Sequence, residues 1–298
     1  MLNTPPSSRR WIPEIGLVVG LAVAAVAVFM VFAILRDPEG AGVSSLGVRD
    51  PGPVHVHGLG VDPADESVFI ATHTGTWRLA KSSRKAVRVS KSRQDTMGFT
   101  VVGPGHFLAS GHPDARDDLP PLLGLIESTD AGRSWKPVSL LGKADFHALR
   151  AQGSRVYGIN ATTGEMLISR DAGRTWVERR LPGPTWDFTV HPVRSAHLIA
   201  VTEQGSFASP DEGRTWEPLA PLVGLLAWPT TQALFLIEAN GIVQRSSDAG
   251  ATWQRQGSVG GQPTAVLGAV GDLYVAVDDG TIKRSSDHGR TWQVISTP

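Results

Sequence analysis

The chain has 298 residues, which is enough for one large domain or two ordinary domains. Its 28 Lys and Arg residues balance its 28 Asp and Glu residues, so no bulk positive field favours nucleic acid as a partner. Cysteine is absent, which excludes a disulfide framework, a thiolate metal site and a cysteine nucleophile.

A long uncharged segment occupies residues 15–35. As a helix it would span roughly 30 Å, the thickness of the hydrocarbon core of a bilayer. Arg9 and Arg10 precede it and acidic residues follow it, so the positive-inside rule places residues 1–14 in the cytoplasm. We predict a single-pass signal-anchor helix in the cell membrane with the rest of the chain on the extracytoplasmic side; a cleaved signal peptide is the alternative. Residues 36–53, rich in Gly, Pro and Ser, are typical of a flexible tether.

The part after the tether repeats the motif Ser-x-Asp-x-Gly-x-Ser/Thr-Trp five times, at intervals of about 40 residues. Asp can accept hydrogen bonds from the N–H groups of its own turn, Gly supplies a positive φ, and Trp packs between neighbouring sheets. The interval matches one four-stranded propeller blade. The predicted structural residues are Asp130 and Trp135, Asp171 and Trp176, Asp211 and Trp216, Asp248 and Trp253, and Asp287 and Trp292.

Strand patterns surround each motif. Before the first motif, His55–Val61 and Ser67–Ala71 read as two strands of another blade, whose hairpin has lost the motif. Five blades with the motif and one without it predict an all-β, six-bladed β-propeller over residues 54–298, preceded by the transmembrane helix. In the third blade the predicted strands are Phe146–Gln152, Arg155–Asn160, Glu165–Ser169 and Thr175–Arg179.

These motifs resemble the Asp boxes of the BNR or Asp-box repeat proteins, which include sialidases, sortilin-type receptors and the photosystem II assembly factor. The phrases His55-Val-His57-Gly-Leu, Ala71-Thr-His73-Thr-Gly and Asp145-Phe-His147-Ala-Leu are similar to bacterial membrane-anchored BNR-repeat proteins known as sialidase-like glycosyl hydrolases. The resemblance implies a propeller, but it does not imply an activity, because one propeller fold hosts unrelated functions.

A sialidase would need three arginines, a tyrosine nucleophile with a Glu partner and an Asp acid/base. The two tyrosines, Tyr157 and Tyr274, lie in the middle of predicted strands at positions that are apolar elsewhere, which favours core packing. A two-carboxylate glycoside hydrolase stays open as the alternative function, because acidic residues about 5–10 Å apart can hydrolyse glycosidic bonds. The candidate catalytic carboxylates are Asp187, Glu203, Glu238 and Asp278.

Histidines gather near one predicted rim of the ring, at the starts of inner strands and the ends of second strands. Aligning the inner strands makes His57, Met97, Phe146 and Trp186 equivalent. We expect one concave ligand-binding site there, which consists of His55, His57, His73, Asp95, His112, Asp114 and His147.

The chemistry of that site has several alternatives. Imidazole and carboxylate together suit zinc or copper, and the five histidines at positions 55, 57, 73, 112 and 147 are the candidate metal ligands. Protonated imidazoles can instead bind an anion, and neutral ones can act as acid or base or simply bond to loops. The sequence therefore predicts a membrane-anchored binding scaffold whose partner is another extracytoplasmic protein or a glycan.

Overall fold

The computed structural model describes residues 52–269 and 271–298. The predicted cytoplasmic tail, the predicted transmembrane helix at 15–35 and nearly all of the tether lie outside the described residues. Within the described part, no helix is both long enough and apolar enough to cross a bilayer.

The described residues form six sheets, and each sheet is built from four antiparallel strands that follow one another in the sequence. Blade one has β1 (Val56–Val61), β2 (Val68–Thr72), β3 (Gly75–Leu79) and β4 (Val87–Arg88). Blade two has β5 (Asp95–Gly103), β6 (His106–His112), β7 (Leu125–Ser128) and β8 (Lys136–Ser139). Blade three has β9 (Phe146–Gln152), β10 (Arg155–Asn160), β11 (Glu165–Ser169) and β12 (Val177–Arg179).

Blades four to six follow the same plan. Blade four has β13 (Thr185–Val190), β14 (Leu198–Thr202), β15 (Gly205–Ser209) and β16 (Glu217–Ala220). Blade five has β17 (Leu225–Thr230), β18 (Ala233–Ile237), β19 (Ile242–Ser246) and β20 (Gln254–Ser258). Blade six has β21 (Pro263–Ala269), β22 (Asp272–Val277), β23 (Ile282–Ser285) and β24 (Gln293–Ser296). The six-bladed β-propeller predicted from the sequence is confirmed.

Each repeated motif forms a tight corner between the third and fourth strands of its blade. In blade three, Asp171 Oδ1 accepts hydrogen bonds from the backbone N–H of Thr175 (2.8 Å) and of Arg174 (3.1 Å). The Thr175 hydroxyl donates to Asp171 Oδ2 at 2.7 Å, and Gly173 has a φ of 84°. Because Thr175 is used by the corner, β12 begins at Val177 instead of at the predicted Thr175.

The corners lie at one end of the ring. We call each Ser-x-Asp-x-Gly-x-Ser/Thr-Trp motif a box. The backbone N–H of Ala131, which follows the box residue Asp130, donates to the carbonyl of Gly105 in the turn between β5 and β6. Ala172 makes the same bond to Ser154 in blade three. Since that turn joins the end of an inner strand to the next strand, the boxes lie opposite the end at which the inner strands start.

Side chains between neighbouring blades form the core. The indole of Trp176 lies 5.1 Å from the ring of Phe146, and its N–H donates to the Ser139 hydroxyl of blade two at 2.9 Å. Tyr157 and Tyr274 are buried, as the core-packing interpretation expects. The predicted position of the box tryptophan between sheets agrees with these contacts.

The ring closes without an exchanged strand. β1 packs directly against β21, and Ile70 and Trp77 of blade one share an apolar cluster with Tyr274 and Ile282 of blade six. Blade one completes the ring although it lacks the box, because this seam is held by side-chain packing.

Candidate functional site

A central channel of about 480 Å³ runs between the six inner strands, which are β1, β5, β9, β13, β17 and β21. Its wall is formed largely by backbone and by small apolar side chains. Larger side chains line the channel near both ends of the inner strands, with Arg150, Gln152 and Trp228 towards the strand ends. Near the strand starts the lining includes His57 and His147, so the imidazoles distinguish that end, which we call the mouth.

Most inner strands carry a β-bulge near their first residues. In blade one, Val56 pairs with Thr72 and Gly58 pairs with Ala71, so His57 is the extra residue. A bulge of this kind re-aims a side chain. Comparable register shifts in blades two, three, four and six involve Met97, His147, Trp186 and Thr264, and these residues all line the channel.

The bulges correct the alignment made from the sequence. His147, and not Phe146, is the blade-three equivalent of His57. Phe146 is fully buried, whereas the side chain of His147 is 45% exposed at the mouth. An alternating pattern without the extra residue would have assigned these two side chains to the wrong faces.

Three predicted site residues form a compact group at the junction of blades one and two. His57 lies on the bulge of β1, His73 follows the end of β2, and Asp95 begins β5. Each offers one ligand atom, and the three atoms lie within 4.8 Å of one another. His73 Nδ1 lies 2.7 Å from Asp95 Oδ2, and His57 Nε2 lies 3.7 Å from Asp95 Oδ1.

The group is only partly satisfied by protein contacts. His57 Nε2 and Asp95 Oδ1 are both buried atoms without a hydrogen-bond partner. Burial and the nearby His73 lower the pKa of His57 to about 4. The hydrogen bond with Asp95 raises the pKa of His73. At neutral pH, the two imidazoles therefore differ in their affinity for a proton.

His55 lies beside this group. Its ring centroid is 5.6 Å from that of His73, and its backbone has a φ of 52°. A positive φ is unusual for a residue other than Gly, and such conformations concentrate at functional sites. His55 thus lies beside His57, His73 and Asp95, with its ring next to that of His73.

A second group adjoins the first one. His147 Nε2 lies 2.8 Å and His112 Nε2 lies 3.5 Å from the same oxygen, Asp145 Oδ2. Asp145 is buried, and its other carboxylate oxygen has no hydrogen-bond partner. His112 is also the cross-strand neighbour of Asp95, so the two groups are continuous.

Asp145 was missed as a site residue by the sequence analysis. The available signal was its spacing of two residues from His147, the same spacing that separates His55 and His57. Aspartates before strands are common turn residues, so this signal was weak.

Asp114 lies apart from the histidines it was predicted to join. Its carboxylate pairs with Arg116 and accepts a hydrogen bond from the backbone N–H of Arg93 at 2.7 Å. The bonds from Arg116 and Arg93 hold the pKa of Asp114 well below its usual range. Asp114 organises the loop after β6.

The four candidate catalytic carboxylates are dispersed. Glu203 and Asp278 are exposed in the turns after β14 and β22, and Glu238 accepts a hydrogen bond from the Gln244 amide at 2.8 Å. They belong to three different blades.

Asp187 has a structural environment. Its carboxylate pairs with Arg150 at 2.7 Å and accepts the backbone N–H of Leu226 at 2.9 Å, which joins blade four to blades three and five. Burial raises the pKa of Asp187, and the charge of Arg150 opposes that shift.

Solved structures of other propeller-type proteins resemble this fold. YCF48 from Cyanidioschyzon merolae matches with a TM-score of 0.52 and 13% identity over 83% of this chain and 86% of that chain. A chain of the nidogen/laminin complex matches with a TM-score of 0.63 and 11% identity over 78% of this chain and 93% of that one. An ancestral GH74 enzyme matches with a TM-score of 0.53 and 13% identity over 79% of this chain, which spans only 37% of the enzyme chain.

YCF48 bound to D1 peptide matches more weakly, with a TM-score of 0.46 and 17% identity over 67% of this chain and 66% of that one. A TM-score this low gives no basis for transferring the peptide site. No protein-family model matches the sequence, and no curated protein matches it. Identities this low show the propeller fold alone.

Proposed function

We propose that this chain is a membrane-anchored, extracytoplasmic binding propeller that holds a peptide segment of another protein at its histidine-rich channel mouth. The proposal for the anchor rests on the uncharged segment 15–35 and its flanking arginines. The proposal for the binding site rests on the side chains that the bulges aim at the channel.

The observation that carries the proposal is the exposure of Trp186. This indole is 58% exposed although it lies on an inner strand and lines the channel. Trp is enriched among the residues that dominate binding energy, because it buries a large area and keeps one polar donor. His147 and Arg150 line the same cavity, so an apolar anchor is combined with polar groups that can orient a ligand.

The size of the channel favours an extended segment as the ligand. A cavity of about 480 Å³ accepts a few side chains, whereas a folded domain can only cover the opening. The similar chain of the nidogen/laminin complex is part of an assembly of proteins, which is compatible with a protein partner.

The alternative function, glycoside hydrolysis, has weaker support. It needs two carboxylates facing each other across the substrate, about 5–10 Å apart. Asp187 is engaged by Arg150 and by Leu226, and the other three candidates lie on separate blades. A glycan ligand would still be an outcome of the test below.

Site-specific photocrosslinking in intact cells tests the binding site. A photoreactive phenylalanine analogue replaces Trp186 at the mouth or Val177, which is 50% exposed on the outer strand β12. We expect one discrete protein adduct from position 186 and none from position 177. Equal crosslinking from both positions, or none from either, would refute the proposed site, and a diffuse glycan-sized shift would replace the protein by a glycan.

The absence of native cysteine gives a direct test of topology. We expect Thr162→Cys, in an exposed turn of blade three, to react with a membrane-impermeant maleimide in intact cells. Ser8→Cys, in the predicted cytoplasmic tail, should react only after lysis. The reverse pattern would invert the topology, and a mature chain that lacks residue 8 would mean a cleaved signal peptide.

A further inference from the structure

We propose that His57, His73 and Asp95 bind one divalent transition-metal ion, such as Zn²⁺ or Cu²⁺, at the channel mouth. This inference deepens the proposed function and rests on it for the use of the mouth as a ligand site. Of the five histidines that the sequence analysis named as candidate metal ligands, the inference keeps His57 and His73. It adds the carboxylate of Asp95 as the third ligand.

The geometry of the group suits a common ion. A tetrahedral ion about 2.1 Å from each of its ligand atoms separates those atoms by roughly 3.4 Å. His57 Nε2 and Asp95 Oδ1 are 3.7 Å apart, and all three candidate ligand atoms lie within 4.8 Å of one another. Small side-chain rotations therefore complete the coordination, and the fold supplies the approach of the three side chains.

Two unpaired atoms of the group are placed to share a cation. His57 Nε2 and Asp95 Oδ1 are buried and face each other without a hydrogen-bond partner. Buried polar atoms in native proteins are almost always paired, because an unpaired one loses its hydrogen bonds to water and gains none in return. An ion bound between a nitrogen lone pair and a carboxylate oxygen satisfies both atoms at once.

The donor set selects the class of metal. Two imidazoles and one carboxylate suit zinc, copper, nickel or iron, whereas calcium and magnesium prefer oxygen ligands only. Among divalent ions at such a site, copper is expected to bind more tightly than zinc. Three protein ligands leave at least one coordination position for a group supplied by the partner.

The neighbouring group is suited to hold that supplied group in place. His112 and His147 share Asp145 Oδ2, and neither imidazole needs to leave this carboxylate when the metal binds. Both ring nitrogens of His112 have partners, since Nδ1 lies 2.8 Å from the Pro121 carbonyl, whereas the half-exposed His147 keeps its Nδ1 for a hydrogen bond beside the metal. We infer that the partner presents a carboxylate or an imidazole to the ion.

A simpler explanation is that His73 and Asp95 form an ion pair with no ligand. That explanation accounts for the 2.7 Å contact between His73 and Asp95. It leaves His57 Nε2 and Asp95 Oδ1 unpaired. The two explanations differ in their dependence on His57, which the ion pair does not use.

Calorimetric titration of the full-length chain with Zn²⁺, Cu²⁺ and Mg²⁺ at neutral pH tests the inference. We expect one Zn²⁺ or Cu²⁺ per chain and no Mg²⁺. His57→Gln and Asp95→Asn should each weaken binding by about 100-fold or more. His106→Gln is the matched control, because His106 also contacts a carboxylate, Glu127, at 2.6 Å but lies outside the group.

Counting the imidazoles bound to Cu²⁺ by spectroscopy distinguishes a variant that has lost a metal ligand from one that has failed to fold. With Cu²⁺, electron spin-echo spectroscopy should detect two imidazoles in the wild type and His106→Gln, and one in His57→Gln. All variants should keep the wild-type melting temperature without metal to within about 2 °C. Zn²⁺ affinity that is unchanged in His57→Gln, or a folded wild type that binds neither Zn²⁺ nor Cu²⁺, would overturn the proposal.

The crosslink at position 186 distinguishes this inference from the proposed function. If the adduct forms equally with and without a chelator and the protein binds no metal, the metal inference fails and the binding function stands. If metal binds with the expected stoichiometry and no adduct forms, the partner proposal fails and the metal site stands.

Discussion

The two ends of the propeller are built on different principles. At one end, the same corner recurs five times, and each box aspartate accepts several short hydrogen bonds from its own turn. At the other end, the bulged residue varies between blades: it is a histidine in blades one and three (His57 and His147), and Met97, Trp186 and Thr264 in blades two, four and six. Repetition serves stability at the box end, and the varied side chains at the mouth are those to which we assign the proposed binding.

The hydrogen bonding of the carboxylates also differs between the two ends. In blade three, Asp171 uses both carboxylate oxygens in hydrogen bonds. At the mouth, Asp95 and Asp145 each keep one buried oxygen without a partner. Places where a protein departs from local consistency are expected to be functional sites. The two unpaired carboxylate oxygens agree with the use of the mouth as a ligand site that we propose.

The largest effect is expected where a structural ion pair reaches the channel. Arg150→Met leaves the buried carboxylate of Asp187 without its cation, and breaking such a pair costs about 3 kcal/mol. Denaturant unfolding should show this loss relative to Arg174→Met, an exposed box arginine that should change stability by less than about 0.5 kcal/mol. Equal effects would mean that Asp187 is stabilised by its backbone contacts alone.

A smaller loss is expected from a methyl group at the box corner. Gly173→Ala introduces a Cβ only 2.1 Å from Leu125 Cδ2, and the residue keeps a φ of 84°. Gly164→Ala is the control for the positive φ, because its φ is 71° and no atom lies within 4 Å of the new Cβ. We expect Gly173→Ala to cost about 2 kcal/mol more than the control. Similar melting temperatures would show that the corner adapts.

The box end should also determine how the protein responds to acid. The backbone N–H and hydroxyl of Thr215 lower the pKa of Asp211 to about 2, and those of Thr252 do the same for Asp248. Because these values are below the unfolded value of about 3.9, the stabilisation is complete above pH ~4 and is lost as the pH falls towards 2. The slope of stability against pH in this window should be shallower in Asp211→Asn. An unchanged slope would assign the acid response to other carboxylates.

The smallest effect is expected at the mouth. His57→Gln should change the free energy of unfolding by less than about 0.5 kcal/mol without metal, because His57 Nε2 makes no hydrogen bond. His191→Gln is the comparison, since His191 Nδ1 accepts the backbone N–H groups of Val193 and Arg194 at 3.2 and 3.1 Å. We expect His191→Gln to cost about 1–2 kcal/mol. A larger loss for His57→Gln would mean that the mouth is structural.

The blade plan could be predicted from the sequence because the motif is local. Each box fixes a corner within eight residues, and the alternating apolar pattern then sets the strands on either side. In blade three, β9, β10 and β11 have the bounds that the sequence predicted. Blade one was predicted without a motif from its two apolar strands, and the seam with blade six shows why it fits: its apolar residues complete a shared cluster.

The site was predicted only in part, because it depends on contacts between blades. His57, His73 and Asp95 place three candidate ligand atoms within 4.8 Å of one another. The bulge that exposes His147 and buries Phe146 adds one residue to a strand, and no residue type in the sequence marks it. Asp114 was placed in the site by its closeness in sequence to His112, whereas Arg116 holds it in a loop.

The closure of the ring has a consequence for how the fold can be rearranged. No strand is shared between the first and last blades, and a Cβ on Gly52 would lie 3.2 Å from the carbonyl carbon of Pro298. The propeller thus has no obligatory starting point. A circular permutant that connects these two ends and opens in the turn at Gly164 keeps every blade contiguous except the third.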